Sequence, residues 1–194
     1  MSTAPKKKLR MTAAEYLEWE RKQDTRHEFH NGEAFAMAGG TRRHALIGAN
    51  LVAELRSQLK GGDCESLGSD MQVYVERTGL YTYPDASVVC PPIEGDSDYL
   101  VSNPVLIGEV LSPSTADYDR GTKFAHYRKI ASLTDFLVLY QEEPRVEHHS
   151  RTTDGNWLLR EVAGLGEGIE IGRLGINLRL AEIYAKVQFD ETAE

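Results

Sequence analysis

A carboxylate stands at the centre of an apolar run in this chain. Glu109 lies within Val105-Leu106-Ile107-Gly108-Glu109-Val110-Leu111. An unpaired buried charge costs on the order of several kcal/mol, so such a residue normally acquires a partner, a metal or a shifted pKa. Strand alternation puts Glu109 on the face of Ile107 and Leu111. The plainer reading is a strand-end glutamate that reaches water or an arginine. Asp85 is the second anomaly, in Tyr83-Pro84-Asp85-Ala86-Ser87-Val88-Val89-Cys90. Pro84 removes a ladder donor, so Pro84-Asp85 marks a strand start or bend. By itself it reads as a turn aspartate. Lys123 is the third, on the helix expected after the Glu109 strand. Asp119 stands four residues before it, and a surface ion pair would account for both. As a set they suggest more. Two carboxylates on neighbouring strands can hold one Mg²⁺ or Mn²⁺, which prefers oxygen ligands and keeps several waters. The metal can acidify a bound water and polarise a phosphodiester oxygen. A lysine nearby can orient that water or offset charge on the phosphate.

The elements that must position these residues follow from pattern and punctuation. Thr12 caps a short amphipathic helix over residues 12–22. Residues 28–30 and 33–38 flank Asn31-Gly32, the strongest short hairpin signal. Thr41 can cap a helix from 42 to 60, which Gly61-Gly62 stops. Strands are expected at 64–67, 70–76 and 81–90. Residues 105–111 form an apolar strand, and Ser112-Pro113-Ser114 breaks it. Helical periodicity covers 116–131, and 134–140 is a further apolar strand. Strand, helix, strand over 105–140 makes a βαβ unit with parallel strands. Antiparallel strands follow at 145–150 and 157–162, then a glycine-rich stretch and a last helix near 180–187. The fold class is α/β: a mixed sheet flanked by helices, with additional antiparallel strands.

Several motifs together carry a family resemblance. They are residues 26–38 (RHEFHNGEAFAMA), His44 at a helix start, residues 83–89 (YPDASVV), residues 108–115 (GEVLSPST), and Asp119 with Lys123 and Tyr127 at four-residue spacing. This set resembles the Uma2-like family, formerly DUF820, of the PD-(D/E)XK nuclease superfamily, over roughly residues 11–187. The resemblance implies a restriction-endonuclease-like core in one domain and a metal-dependent endonuclease acting on DNA. It implies Asp85 and Glu109 as Mg²⁺ or Mn²⁺ ligands, with the Val110 carbonyl completing the coordination. Leu111 occupies the place where the superfamily pattern has lysine. Lys123 matches the migrated lysine of Uma2-like proteins, and Lys129 is its rival on the same helix. Glu33 is a candidate supporting carboxylate. His44 shares a helix face with Gly48, Leu51 and Leu55, so it points inward, toward the site or into a satisfied core position. A homodimer is implied too, because one such site cuts one strand.

Composition narrows the alternatives. The chain has 194 residues and a net charge of −8. Lys6, Lys7, Lys8 and Arg10 are all basic, so residues 1–10 read as a disordered basic arm and residues 188–194 as a tail. The remaining core is strongly acidic, unlike proteins that bind nucleic acid by bulk charge. That charge and Leu111 support the alternative of a degenerate nuclease fold serving as a nucleic-acid-binding or protein-interaction module. A third possibility is a structural or regulatory dimer that meets no nucleic acid. Two cysteines, Cys64 and Cys90, do not make a disulfide framework, and a reducing cytoplasm is the expected compartment. No apolar run is long enough to span a membrane. No Cys/His cluster has zinc spacing, and the adjacent His148 and His149 would point to opposite strand faces. The glycines between 164 and 175 lack the context of a phosphate loop.

Overall fold

The computed structural model describes residues 10–37, 39–95, 98–112 and 116–189. Most of the N-terminal arm, most of the tail, and Pro113-Ser114-Thr115 of the GEVLSPST motif lie outside the described residues. So does part of the acidic loop expected at 94–98.

The chain opens with α1 (Ala13–Glu20), whose N-cap Thr12 and Glu15 form a reciprocal capping box. β1 (His27–His30) and β2 (Glu33–Ala36) form the hairpin that Asn31-Gly32 calls for, and both turn residues have positive φ. α2 (Arg42–Leu59) is capped by Thr41, which accepts from the His44 N–H at 3.1 Å. Its buried stripe is Ile47, Leu51, Leu55 and Leu59 at four-residue spacing, one face of a 3.6-residue period.

Six short strands come next. They are β3 (Glu65–Gly68), β4 (Gln72–Val75), β5 (Leu80–Thr82), β6 (Ala86–Val89), β7 (Leu100–Val101) and β8 (Pro104–Val110). A π-helical segment, Tyr118–Lys123, runs into the single turn α3 (Phe124–Tyr127). β9 (Asp135–Leu139), β10 (Arg145–Arg151) and β11 (Trp157–Ala163) follow. β12 (Gly168–Ile171), β13 (Ile176–Arg179) and α4 (Leu180–Ile183) complete the order.

The α/β class holds, with mixed sheets flanked by helices, but the strands divide among more than one sheet. A six-stranded sheet has the order β11-β10-β9-β8-β6-β3, a five-stranded sheet the order β2-β1-β5-β4-β7, and β12-β13 stands as a separate hairpin. The division arises within the segment expected as one strand over 81–90. Tyr83-Pro84-Asp85 separates β5, which joins one sheet, from β6, which joins the other. The βαβ reading does hold in its pairing, since β8 and β9 are parallel. Elsewhere the six-stranded sheet is antiparallel.

β8 alternates between two cores. Leu106 and Val110 pack with Leu51, Leu55, Ile183 and the β12-β13 hairpin. Ile107 and Leu111 pack with Phe124, Tyr127 and Phe136. All seven residues of β8 are buried, as expected for an interior strand covered on both faces.

Three further expectations are corrected. The helix expected over 116–131 is shorter and begins with a wide π-turn, which brings both Asp119 and Lys123 indoors. The last helix ends at Ile183. The two cysteines are joined as a disulfide. The reason is register: β3 and β6 pair with Glu65 opposite Val89, so Cys64 and Cys90 are the next facing residues.

Candidate active site

Glu109 is 3% exposed near the end of β8. Its Oε1 accepts from the Tyr127 hydroxyl at 2.6 Å and from the Lys123 ammonium at 3.2 Å. Burial pushes the Glu109 carboxyl up to about 8. Asp85 and Asp119 push the same way, while Lys123 and the Tyr127 hydroxyl oppose them. Alternation along β8 explains the contacts, because Tyr127 and Lys123 cover the face that Glu109 shares with Ile107 and Leu111.

Lys123 is 5% exposed and meets three carboxylates. It lies 2.9 Å from Glu28, 3.2 Å from Glu109 and 3.3 Å from Asp119. A lysine has three N–H donors, so these partners can occupy all of them. Burial pulls its pKa down, but Glu109, Tyr127, Glu28 and Asp119 outweigh that and hold it well above the ordinary value. The Asp119–Lys123 pair, read from sequence as a surface ion pair, is therefore a buried one. Lys129 is exposed and does not enter the group.

Asp85 lies in the bend before β6. Its Oδ2 accepts from the Val110 N–H at 2.7 Å and lies 3.3 Å from Nε2 of His44. The Val110 backbone lies close enough to His44 to act on its titration. The bond to Asp85 holds the His44 imidazole above its usual pKa, against burial, which lowers it. Asp85, the Val110 backbone and His44 thus form one contiguous group, and Asp85 acts electrostatically on Glu109 from there.

The sequence reading missed Glu28. It named Glu33 as the supporting carboxylate, but Glu28 of the same hairpin reaches Lys123. Glu28 also accepts from Thr82 Oγ1 at 2.6 Å and from the Tyr118 hydroxyl at 3.1 Å. Glu33 pairs in register with His30 at the hairpin turn, and its backbone bridges to Arg10. Glu28 was hard to find because it sits in a short polar strand beside Phe29, which looks like the buried member. The available signal was its place in the RHEFHNGEAF segment.

Four carboxyl groups, those of Glu28, Asp85, Glu109 and Asp119, thus share one lysine and one histidine. That deficit of positive charge, which adds to burial in raising the Glu109 pKa, fits a divalent cation. The donors at hand are the Asp85 and Glu109 carboxylates and the Val110 carbonyl. Among the described residues no group of three or more His, Cys, Asp or Glu side chains is arranged as a metal cage. A partial donor set completed by water suits Mg²⁺ or Mn²⁺ better than zinc.

The fold has a counterpart among solved structures. A crystal structure described as "a putative nuclease belonging to DUF820", from Anabaena variabilis, matches with a TM-score of 0.74. The match covers 92% of this chain and 99% of that one at 15% identity, which is a likeness of fold. The architecture is thus that of a nuclease-fold protein with a buried carboxylate–lysine centre. The model of the Uma2 family, described as "Putative restriction endonuclease", matches residues 13–181, and the chain belongs to that family. Two relatives come from Synechocystis sp. "Uncharacterized protein slr1290" is 35% identical over 93% of this chain and 94% of its own length. "Uncharacterized protein sll1609" is 36% identical over 86% of this chain and 95% of its own length.

Proposed function

We propose that this protein is a metal-dependent endonuclease that hydrolyses phosphodiester bonds, with DNA as its substrate. The observation that carries the reading is the buried contact of Lys123 with Glu109 beside Asp85, a carboxylate pair and a lysine gathered from three separate segments. Asp85 and Glu109, with the Val110 carbonyl, would hold Mg²⁺ or Mn²⁺. When bound, the ion supplies an acidified water and a Lewis acid for the phosphate.

The remaining work falls to the chain. Tyr127 and the Val110 N–H fix the two carboxylates before substrate arrives, which limits reorganisation during reaction. His44 orients Asp85 from α2. Lys123 stabilises charge on the phosphate or orients the attacking water, and to do so it must release one of its carboxylate partners. Leu111, 5% exposed, packs in the core and leaves that role open to Lys123. A homodimer would place two such centres on one duplex.

The test is cleavage of supercoiled plasmid and single-stranded DNA with Mg²⁺ or Mn²⁺. The parent should nick DNA only with metal. Asp85→Ala and Lys123→Ala should each lose on the order of a hundredfold or more, the scale for removing one electrostatic stabiliser. An inactive parent, or activity that survives Asp85→Ala, would sink the proposal.

The compartment we propose is the cytoplasm. No helix among the described residues is long and apolar enough to cross a membrane. The Cys64–Cys90 pair provides the test. The structure joins these cysteines, so a cytoplasmic location requires the glutathione pool to open the bridge, and protein isolated with thiols blocked at lysis should then show both cysteines alkylated. A disulfide recovered intact would place the protein in an oxidising compartment.

A further inference from the structure

The second feature lies on the other face of the six-stranded sheet. Asp135, Leu137 and Leu139 alternate with Phe136 and Val138 along β9, and Val138 is the partner of Glu109. Leu137 and Leu139 belong to the opposite core, so Asp135 also points away from the Glu109 face. Asp135 pairs with Leu106, three residues along β8 from Glu109, or about 10 Å at the usual strand rise. The two regions are separated by both face and strand end.

At that place is a cleft of about 600 Å³, the size of a small-ligand site. One wall is the β12-β13 hairpin, which brings Arg173 and Glu170. The others carry Arg151, Arg160, Leu158 and hydroxyls that include Thr134 and Ser150. Arg160 faces His148 across β10-β11, and Leu158 faces Ser150, so the register lines these side chains along one surface. The cleft also contains a buried pair: Nε2 of His148 lies 2.7 Å from Oδ1 of Asp135, with the two residues 6% and 5% exposed. Thr134 donates to the other Asp135 oxygen at 2.8 Å. A carboxylate only accepts, so Nε2 carries the proton and the ring is fixed in one orientation.

Charge decides what such a cleft takes. The chain as a whole carries −8, yet two exposed arginines, Arg160 and Arg173, line this cleft beside two carboxylates, those of Asp135 and Glu170. One of those carboxylates is already engaged by His148 and Thr134. Arg151 borders the cleft from β10, but its guanidinium turns to the other sheet face, where it donates to the carbonyls of Ile130 and Ala131 and lies over Trp157. Guanidinium forks with neighbouring hydroxyls match a phosphate. Leu158, 53% exposed, adds an apolar surface beside them.

We propose that this cleft binds the phosphate of a nucleotide, with Arg160 and Arg173 as the anion contacts and Leu158 against the nucleoside. The nucleotide is either free or the terminus of a nucleic acid strand, and both present the same group. The site is independent of the metal-dependent chemistry proposed above.

The experiment is calorimetric titration of the full chain in chloride buffer without divalent metal. The probes are inorganic phosphate, deoxyadenosine 5′-monophosphate and a short 5′-phosphorylated oligothymidylate. The mononucleotide should bind at least tenfold more tightly than inorganic phosphate. Preference for the oligonucleotide over the mononucleotide would assign the site to strand ends, and the reverse to free nucleotides. The double variant Arg160→Ala/Arg173→Ala changes exposed side chains only and should weaken binding at least tenfold. Asp85→Ala should bind as the parent does, so failure of the nuclease reading and failure of this one are read separately. No binding of any probe, binding no tighter for the nucleotide than for phosphate, or binding indifferent to the two arginines overturns the proposal.

Discussion

Glu109 is the residue on which most of the electrostatics turns. Its carboxyl is pushed up from 4.5 to about 8 by burial, with Asp85 and Asp119 adding to the effect. A folded-state pKa above the unfolded one means that the folded protein binds the extra proton between those values. The associated stability is present below pH 4.5 and is lost as the pH rises through about 8. Glu109→Gln carries no such titration. In urea unfolding without metal, the parent should therefore lose more stability than the variant between pH 4.5 and 8. Above that range the variant should be the more stable, by roughly a few kcal/mol. Identical pH slopes for the two proteins would show that the carboxyl is not perturbed.

At this scale the sequence was informative where a residue broke its surroundings. Glu109 could be read because an acid in an apolar strand is anomalous, and Asp85 because proline precedes it. Glu28 offered no such contrast. It sits in a short, mostly polar strand, and its burial is imposed by Lys123, Thr82 and Tyr118 from distant segments.

Among the elements, α2 and β8 set the geometry of the centre, and Gln141 ties them together. Gln141 is 2% exposed. It accepts from the Thr41 hydroxyl at the cap of α2 and donates to the Leu111 carbonyl just past β8. The helix carrying His44 is thereby held against the strand carrying Glu109 and Val110. Gln141→Leu should leave the Thr41 hydroxyl and the Leu111 carbonyl short of a partner and cost about 1–3 kcal/mol. It should also loosen the His44–Asp85 contact. Thermal unfolding checks the first effect, and the His44 imidazole titration followed by NMR checks the second. A variant with unchanged stability and an unchanged His44 titration would remove Gln141 from this role.

Element boundaries with local causes were readable. The Thr12 cap, the Asn31-Gly32 turn and the Thr41 cap lie where sequence puts them. The π-turn at Tyr118–Lys123 and the hairpin β12-β13 were not readable. The π-turn shares the apolar periodicity of an ordinary helix, and the short hairpin owes its burial to the core it covers.

For the whole molecule, partnership between strands was the least legible level. Nothing local assigns β5 and β6 to different sheets, because both are short and buried throughout. The Cys64–Cys90 link depends on the register of β3 against β6, a long-range fact. The arginine cleft is invisible for the same reason, since its walls come from residues far apart in the chain and meet only after both hairpins have docked.

The division into two sheets has a mechanical consequence at Lys123. Glu28 belongs to the five-stranded sheet and Glu109 to the six-stranded one, and a single ammonium touches both. Lys123 therefore acts as a fastener across a seam. Any fluctuation that parts the sheets must strip an ammonium from at least one buried carboxylate, so the seam is stiff while the lysine is shared. Drawing the lysine toward a substrate phosphate would weaken its hold on one side. Engagement of the substrate and loosening of the seam would then be one motion, with the β1-β2 hairpin free to follow whatever occupies the centre.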